Sequence, residues 1–279
     1  MTLASLTDVL ATARAERRGV GAMNVIQLEH AEAIVAGAER AGRPVVLQIS
    51  ENTVAYHRSL APLALACLRI AADSSADVVV HLDHATRPEL VRAAVELGLP
   101  SVMFDGSTLP HEDNVAATGD IARWCHQRGA AVEAELGEVG GKDGVHAPGV
   151  RTDPAAAAEY VERTGVDSLA VAVGSSHAML TRDAVLDDDL IAAIAAAVSV
   201  PLVLHGSSGV PDDGLVSAVA AGMTKINIAT HLNVAMAAAV RAALDSDPQL
   251  VDPRKYLGPG RDAVAAEVAR LLTLLATSR

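Results

Sequence analysis

The sequence predicts an α/β fold, a closed (β/α)8 barrel forming a single domain over residues 1–279. Three observations carry that reading. Short β-branched runs alternate with longer Ala/Leu-rich segments of helical period from one end of the chain to the other, the rhythm of βαβ units. Eight such units follow one another at even spacing. A length of 279 residues is close to the roughly 250 that one barrel of this kind takes. The doubly wound open sheet is the alternative. Its early G-x-G-x-x-G turn is missing, and eight even units favour closure.

Taken in order, strands are expected at 20–25, 44–49, 77–83, 100–105, 131–136, 167–173, 200–205 and 223–229. Helical segments fill 27–41, 60–74, 87–98, 113–128, 154–164, 187–198, 212–221 and 232–244, with an extra N-terminal helix before the first strand and a C-terminal helical extension after Gly260. Asp153-Pro154 supplies a cap and a first-turn proline, and Asp212-Asp213 place carboxylates at the start of another helix. Gly42, Gly98, Gly129 and Gly165 stand at stop positions. The two long βα connections, at about 137–152 and 174–186, read as lids or binding loops.

Half of the residues are apolar while aromatics are nearly absent, so Ala, Val, Leu and Ile must fill the interior, as is usual in a parallel barrel. A formal charge of −12 argues against nucleic acid and anionic membrane surfaces as partners, because both need a positive patch. Any phosphate must therefore be held locally. Cys67 and Cys125 lie in helical segments and read as small core residues in a reducing compartment. No basic-then-apolar leader and no uninterrupted apolar run of about 18 residues is present, so a cytoplasmic location is expected.

In such a barrel the active site lies at the C-terminal ends of the strands. Strand 3 ends in His81-Leu82-Asp83-His84, strand 5 in Glu133-Ala134-Glu135, strand 7 in His205-Gly206-Ser207-Ser208-Gly209 and strand 8 in Lys225-Ile226-Asn227-Ile228-Ala229-Thr230, while Gly174-Ser175-Ser176-His177 follows strand 6. His84, His177 and His205 stand at equivalent heights and can converge on one point. Three neutral imidazoles with an open fourth position form the ligand set of a catalytic zinc. Each of these histidines could alone be a satisfied core residue; all three together are harder to explain that way. Asp83 points away from His84 by strand alternation unless the strand end breaks the pattern, in which case it suits proton transfer. Its plainer reading is a helix-initiating Asp. Glu133 and Glu135 share a face, with Glu135 nearer the rim. The small-residue turns at 206–209 and 174–176 can cradle a phosphate with backbone N–H groups.

These motifs, with Gly21-Ala22-Met23-Asn24 and the stretch from Asp252 to Pro259, resemble the class II fructose/tagatose-bisphosphate aldolase family along nearly the whole chain. The resemblance implies His84, His177 and His205 as zinc ligands, with Glu135 as an alternative ligand when the metal shifts. It implies Asp83 as the acid/base and zinc as a Lewis acid that stabilises the enediolate of dihydroxyacetone phosphate. Asn24, Ser50, Gly174, Gly206, Ser207, Ser208, Asn227, Ala229 and Thr230 would hold the ketose and its first phosphate, supported by a monovalent cation, Na+ or K+. Arg261 matches an arginine that reaches the distal phosphate across a subunit contact, which implies a homodimer or homotetramer.

Three departures stand out. Relatives carry two acids after the Gly-Gly of the strand-5 loop; here Lys142-Asp143 follows, leaving Asp143 as the candidate for the hydroxymethyl proton. Ala178 replaces a usual glycine, with Arg182 near the place of a lysine. Ala229 stands where many fructose-bisphosphate enzymes have an acid and tagatose-type relatives have alanine.

The expected reaction is zinc-dependent cleavage of fructose-1,6-bisphosphate to dihydroxyacetone phosphate and glyceraldehyde 3-phosphate. The alternatives are tagatose-1,6-bisphosphate, a phosphorylated deoxy-keto sugar acid, a Schiff-base aldolase using Lys225, and a non-catalytic sugar-phosphate-binding protein.

Overall fold

A computed structural model describes residues 3–136, 151–175 and 181–277. Eight parallel strands close on themselves in chain order: β1 (Val20–Asn24), β2 (Val45–Ser50), β3 (Val78–Ala85), β4 (Ser101–Phe104), β5 (Ala131–Leu136), β6 (Ser168–Val171), β7 (Leu202–Leu204) and β8 (Met223–Ile228). Closure is made by β1, which pairs with β2 on one side and β8 on the other. The expected (β/α)8 TIM barrel is therefore what the chain forms.

Around it run α1 (Leu6–Ala15), α2 (Leu28–Ala41), α3 (Glu51–His57), α4 (Ala61–Asp73), α5 (Pro88–Glu96), α6 (His111–His126), α7 (Pro154–Thr164), α8 (Asp188–Ala197), α9 (Asp212–Ala221), α10 (Thr230–Ser246) and α11 (Pro253–Leu275). Alternation along each strand divides the side chains between two environments. On β3, Val78, Val80 and Leu82 join the large core between sheet and helices, while Val79 faces inward. The lower end of the barrel is closed by α1, whose Leu6, Leu10 and Ala13 pack on Val20, Ala22, Val46, Val79 and Ala131. Going up the same inward faces, the chain changes character: Val79 is followed by His81 and Asp83, Ala131 by Glu133 and Glu135, and Val46 by Gln48.

Two elements differ from the sequence expectation. The segment 51–57 has no long apolar period, yet it forms α3 because Ser50 caps it, Oγ accepting from Thr53 N–H at 3.2 Å. The C-terminal helix starts at Pro253, seven residues before the expected boundary, and runs through Pro259. An interior proline removes one helical hydrogen bond and costs about 3 kcal/mol. Burial of Val264, Ala265, Val268, Leu271, Leu272 and Leu275 outweighs that cost. The helix can dock closely on α2 because Gly37 faces it; a Cβ there would meet Ala265 O and Val268 at 2.7 Å.

Candidate active site

The upper rim holds a cleft of about 160 Å3 lined by Asn24, Gln48, Ser50, Asn52, Asp83, His84, Gly206, Ser208, Asn227, Ala229 and Thr230. A larger groove of about 610 Å3 lies at the opposite end, between α1 and the strand starts. Its charged residues are Asp8, Arg18, Arg43 and Asp77, without a histidine cluster among the described residues. Barrel chemistry belongs to the rim, and the charged cluster is there.

The alternation question at Asp83 is answered by His84. Asp83 continues the inward series from Val79 and His81, and it is His84 that leaves the regular strand, with φ at 51° and a register irregularity between Leu82 and Ala85. A left-handed conformation is strained for a residue with a Cβ. It turns two consecutive side chains toward one point, something a regular strand cannot do. The donor atoms of Asp83, His84 and His205 all lie within 4.8 Å of one another, as do those of His84, Asp105 and Glu135. The rings of His84 and His205 meet edge to face at 4.6 Å between centroids.

Imidazole nitrogens and carboxylate oxygens converging in this way fit a divalent metal such as zinc. The surrounding contacts also suit one. Asp105 Oδ2 lies 2.9 Å from His84 Nδ1, and Glu133 Oε1 lies 3.0 Å from His205 Nε2. Carboxylates behind ligating imidazoles fix the tautomer and the ring orientation. Asp105 escaped the sequence reading, although its position directly after β4 satisfies the same strand-end rule that selected the others. Gln48 was missed as well; its Nε2 donates to Asn24 Oδ1 at 2.7 Å on the cleft wall.

Burial disfavours charge on His205, but hydrogen bonds from its ring to Glu133 and Glu135, with the charge of both, outweigh it and raise its pKa to about 9. Glu135 Oε2 is 3.2 Å from Nδ1. His81, also fully buried, goes the other way: burial and the nearby Lys225 lower it to about 3, leaving a neutral ring bonded to Ser101 Oγ at 2.8 Å. For Asp83, burial acts to raise the pKa, and the nearby His84, Lys225 and His205 overcome it, so the carboxyl is held below its ordinary value. It stays ionised at neutral pH.

Lys225 does not support the Schiff-base alternative. It is fully buried beneath the cleft, with Nζ 2.9 Å from Glu133 Oε2 and 2.8 Å from Asn227 Oδ1. A nucleophilic amine must be neutral and must reach the carbonyl; this one is a paired ammonium.

The small-residue turn after β7 forms a short 3-10 helix over Ser207–Gly209, entered through Gly206 at φ 66°. Ser208 Oγ accepts from the backbone N–H groups of Ala229 and His231, tying this turn to the start of α10. The Ser207 side chain is 1% exposed and its hydroxyl donates to Asn227 O, so it is turned into the fold, while the expected phosphate cradle is one of backbone N–H groups. The hydroxyl is used to fasten β7 to β8. Gly174 takes φ 120°, with Val185 O only 2.6 Å from where a Cβ would stand, so the position requires glycine.

Arg182 donates to Val210 O at 2.8 and 3.1 Å and to Asp212 at 2.6 Å, which anchors the β6–α8 connection to the start of α9. Arg261 is on α11, paired with Glu32 of α2 at 3.0 Å. His177 and Asp143 lie outside the described residues.

The sequence model described as fructose-bisphosphate aldolase class-II matches residues 4–279. The fructose-bisphosphate aldolase of Geobacillus stearothermophilus is 39% identical over 272 residues, covering 96% of this chain and 95% of the relative. That of Staphylococcus aureus (strain Mu50 / ATCC 700699) is 36% identical over 282 residues, covering 100% and 99%. Among solved structures, the YdjI aldolase from Escherichia coli K12 superposes with a TM-score of 0.87 at 31% identity, over 98% of this chain and 97% of that one. With the barrel, the rim cluster and these full-length matches together, the chain belongs to the class II fructose-bisphosphate aldolase family, lyases that are generally metal-dependent and act on phosphorylated sugars.

Proposed function

We propose that this chain cleaves fructose-1,6-bisphosphate to dihydroxyacetone phosphate and glyceraldehyde 3-phosphate, and catalyses the reverse condensation, as a zinc enzyme. The observation that carries the reading is the convergence of Asp83, His84 and His205 within 4.8 Å at the mouth of a cleft bounded by Gly206, Ser208 and Thr230. His84, His177 and His205 would hold the zinc, with Glu135 in reach of the same point as an alternative ligand. When bound, the metal supplies Lewis acidity that stabilises the negative charge developing as the carbon–carbon bond breaks.

The remaining work falls to the chain. Asp83, ionised at the cleft wall, takes the C4 hydroxyl proton on cleavage and returns it to the aldehyde oxygen on condensation. Asn227 and Asn24 direct amide groups at the sugar. The first phosphate sits against Gly206, Ser208 and the start of α10 at Thr230, where the helix dipole favours an anion. Gly174 joins these groups in holding the phosphate, and a monovalent cation, Na+ or K+, supports the loops. Asp143 takes the hydroxymethyl proton of dihydroxyacetone phosphate on condensation and returns it to that carbon on cleavage.

Arg261 completes the distal phosphate site of a neighbouring subunit in a homodimer or homotetramer. Its exposed place on α11 leaves it accessible to such a neighbour. Among the described residues no helix is long and apolar enough to cross a membrane, and a cytoplasmic enzyme follows from the reading.

Ala229 favours a second reading of the substrate. It lines the cleft where tagatose-type relatives of the family also carry alanine, which supports the C4 epimer, tagatose-1,6-bisphosphate, as substrate. Coupled detection of triose phosphates from both sugars, before and after chelation and with zinc restored, tests the proposal. Fructose-1,6-bisphosphate cleavage that is lost to the chelator and regained with zinc is expected. A faster tagatose rate would transfer the assignment to the epimer. Chelator-resistant cleavage, or none of either sugar, would overturn it.

A further inference from the structure

Beneath the cleft, one fully buried cation touches both halves of the machinery. We propose that Lys225 is a positioning residue that sets the orientation of a metal ligand and of the proton-transfer group at the same time. The inference rests on the reading above, in which His205 holds the metal and Asp83 carries the proton.

Two chains of contacts leave its ammonium. On one side Nζ lies 2.9 Å from Glu133 Oε2, and the other oxygen of that carboxylate lies 3.0 Å from His205 Nε2. Glu133 is thus held at both oxygens, and a carboxylate so held accepts the proton of Nε2 and leaves Nδ1 as the ligating nitrogen. On the other side Nζ donates to Asn227 Oδ1 at 2.8 Å. An ammonium has donors only, so the amide oxygen must face it and the amide NH2 must face the opposite way. There Nδ2 lies 3.5 Å from Asp83 Oδ1, a long hydrogen bond directed into the cleft.

Without Lys225 the Asn227 amide could flip and the Glu133 carboxylate could rotate, each losing its direction. Stability does not account for the arrangement. Lys225 and Glu133 are both 0% exposed, and burying an ion pair gains little over well-packed apolar side chains of similar volume. What the pair provides is fixed direction. Lys225 lies on β8, Glu133 on β5, His205 directly after β7 and Asp83 on β3, so a single side chain joins four walls of the barrel.

The test uses the full chain with Lys225→Met, and with Lys225→Met combined with Glu133→Gln so that no buried carboxylate is left unpaired if the single variant fails to fold. Four quantities are read: thermal unfolding, zinc affinity by chelator competition, the ligand-field spectrum of the cobalt-substituted protein, and kcat and KM for fructose-1,6-bisphosphate. The double variant is expected to unfold cooperatively and to bind zinc roughly tenfold to a hundredfold more weakly. Its cobalt spectrum should shift, and kcat should fall at least about tenfold while KM changes by less than about threefold. A double variant that is merely less heat-stable, with wild-type zinc affinity, spectrum and kcat, overturns the proposal and leaves the functional reading standing. A wild-type chain that takes up no zinc overturns the functional reading, and this inference with it.

Discussion

The two ends of the barrel interior are built from the same inward-facing strand positions and are opposites. At the lower end Val20, Ala22, Val46, Val79 and Ala131 pack beneath Leu6 and Leu10 of α1. Two residues further along the same strands stand Gln48, His81 and Glu133, then Asp83 and Glu135, with His205 and Lys225 beside them, all at most 2% exposed. The lower layer is held by apolar burial, which is non-directional and tolerant of volume-conserving change. The upper layer contains ions that are costly to bury unless each is paired. The fold meets that cost at the end where the strands open onto a cleft, which separates residues that stabilise the barrel from those that make it react.

Substitutions at the two ends should therefore fail in different ways. The largest effect is expected from Asp83→Asn at the upper end: cleavage should fall by about 10²- to 10⁴-fold, measured by triose-phosphate release, with cooperative unfolding retained. Loss of folding rather than activity would break the contrast. At the lower end, Leu10→Ala should destabilise by about 2–5 kcal/mol in denaturant titration, while the kcat of the folded protein stays at the wild-type value.

A smaller effect is expected behind β5. There the buried Tyr160 hydroxyl donates to Asn114 Oδ1 at 2.8 Å, and Asn114 Nδ2 reaches Glu135 O at 3.5 Å. Tyr160→Phe should cost about 1 kcal/mol of stability by the same titration, the net worth of a buried hydrogen bond, since Asn114 Oδ1 keeps its bond from Thr118 Oγ1.

The smallest effect belongs to the surface chain in which Arg270 joins Asp212 at 2.5 Å and Glu267 at 2.7 Å, and Glu267 joins His231 at 2.6 Å. Burial acts to raise the Asp212 and Glu267 pKa values, but hydrogen bonds from Arg270, Arg182 and His231 leave both lowered. A carboxylate with a lowered folded pKa stabilises the fold above its ordinary value, 3.8 for Asp212 and 4.5 for Glu267, and loses that contribution as pH falls through the lowered one. Arg270→Ala should cost under about 1 kcal/mol at pH 7, less at high salt, and the difference from wild type should vanish on acidification. Thermal unfolding across pH 3–7 at two ionic strengths would check this.

The elements were legible in the sequence because their cause is local. Alternation of β-branched and Ala/Leu-rich runs records which faces must leave water, and Gly42, Gly98, Gly129 and Gly165 all take positive φ at the helix ends where they were expected. The strand-end rule likewise brought out Asp83, His84, Glu135 and His205, since a barrel allows reactive side chains at few heights.

Where the local signal was weak the reading fell short. A seven-residue helix at 51–57 depends on one cap, and the start of α11 depends on a close approach to Met236 and Val240 of α10 at Gly260, which a Gly-Pro-Gly stretch conceals. The Ser207 hydroxyl is engaged by the backbone carbonyl of Asn227, twenty residues away, a contact that no local pattern announces.

By itself, then, the sequence determined eight βα units, an apolar filling and a set of polar strand ends, because periodicity and composition act between near neighbours. Tertiary structure decided which of those ends meet. His84 adopts a left-handed φ, Asp105 lies against His84, and Lys225 holds both Glu133 and Asn227, because closing the barrel brings residues 21, 72 and 144 positions apart within hydrogen-bonding distance. No local pattern encodes such contacts. They are fixed by the register between strands, and buried charges admit only arrangements in which each finds a partner.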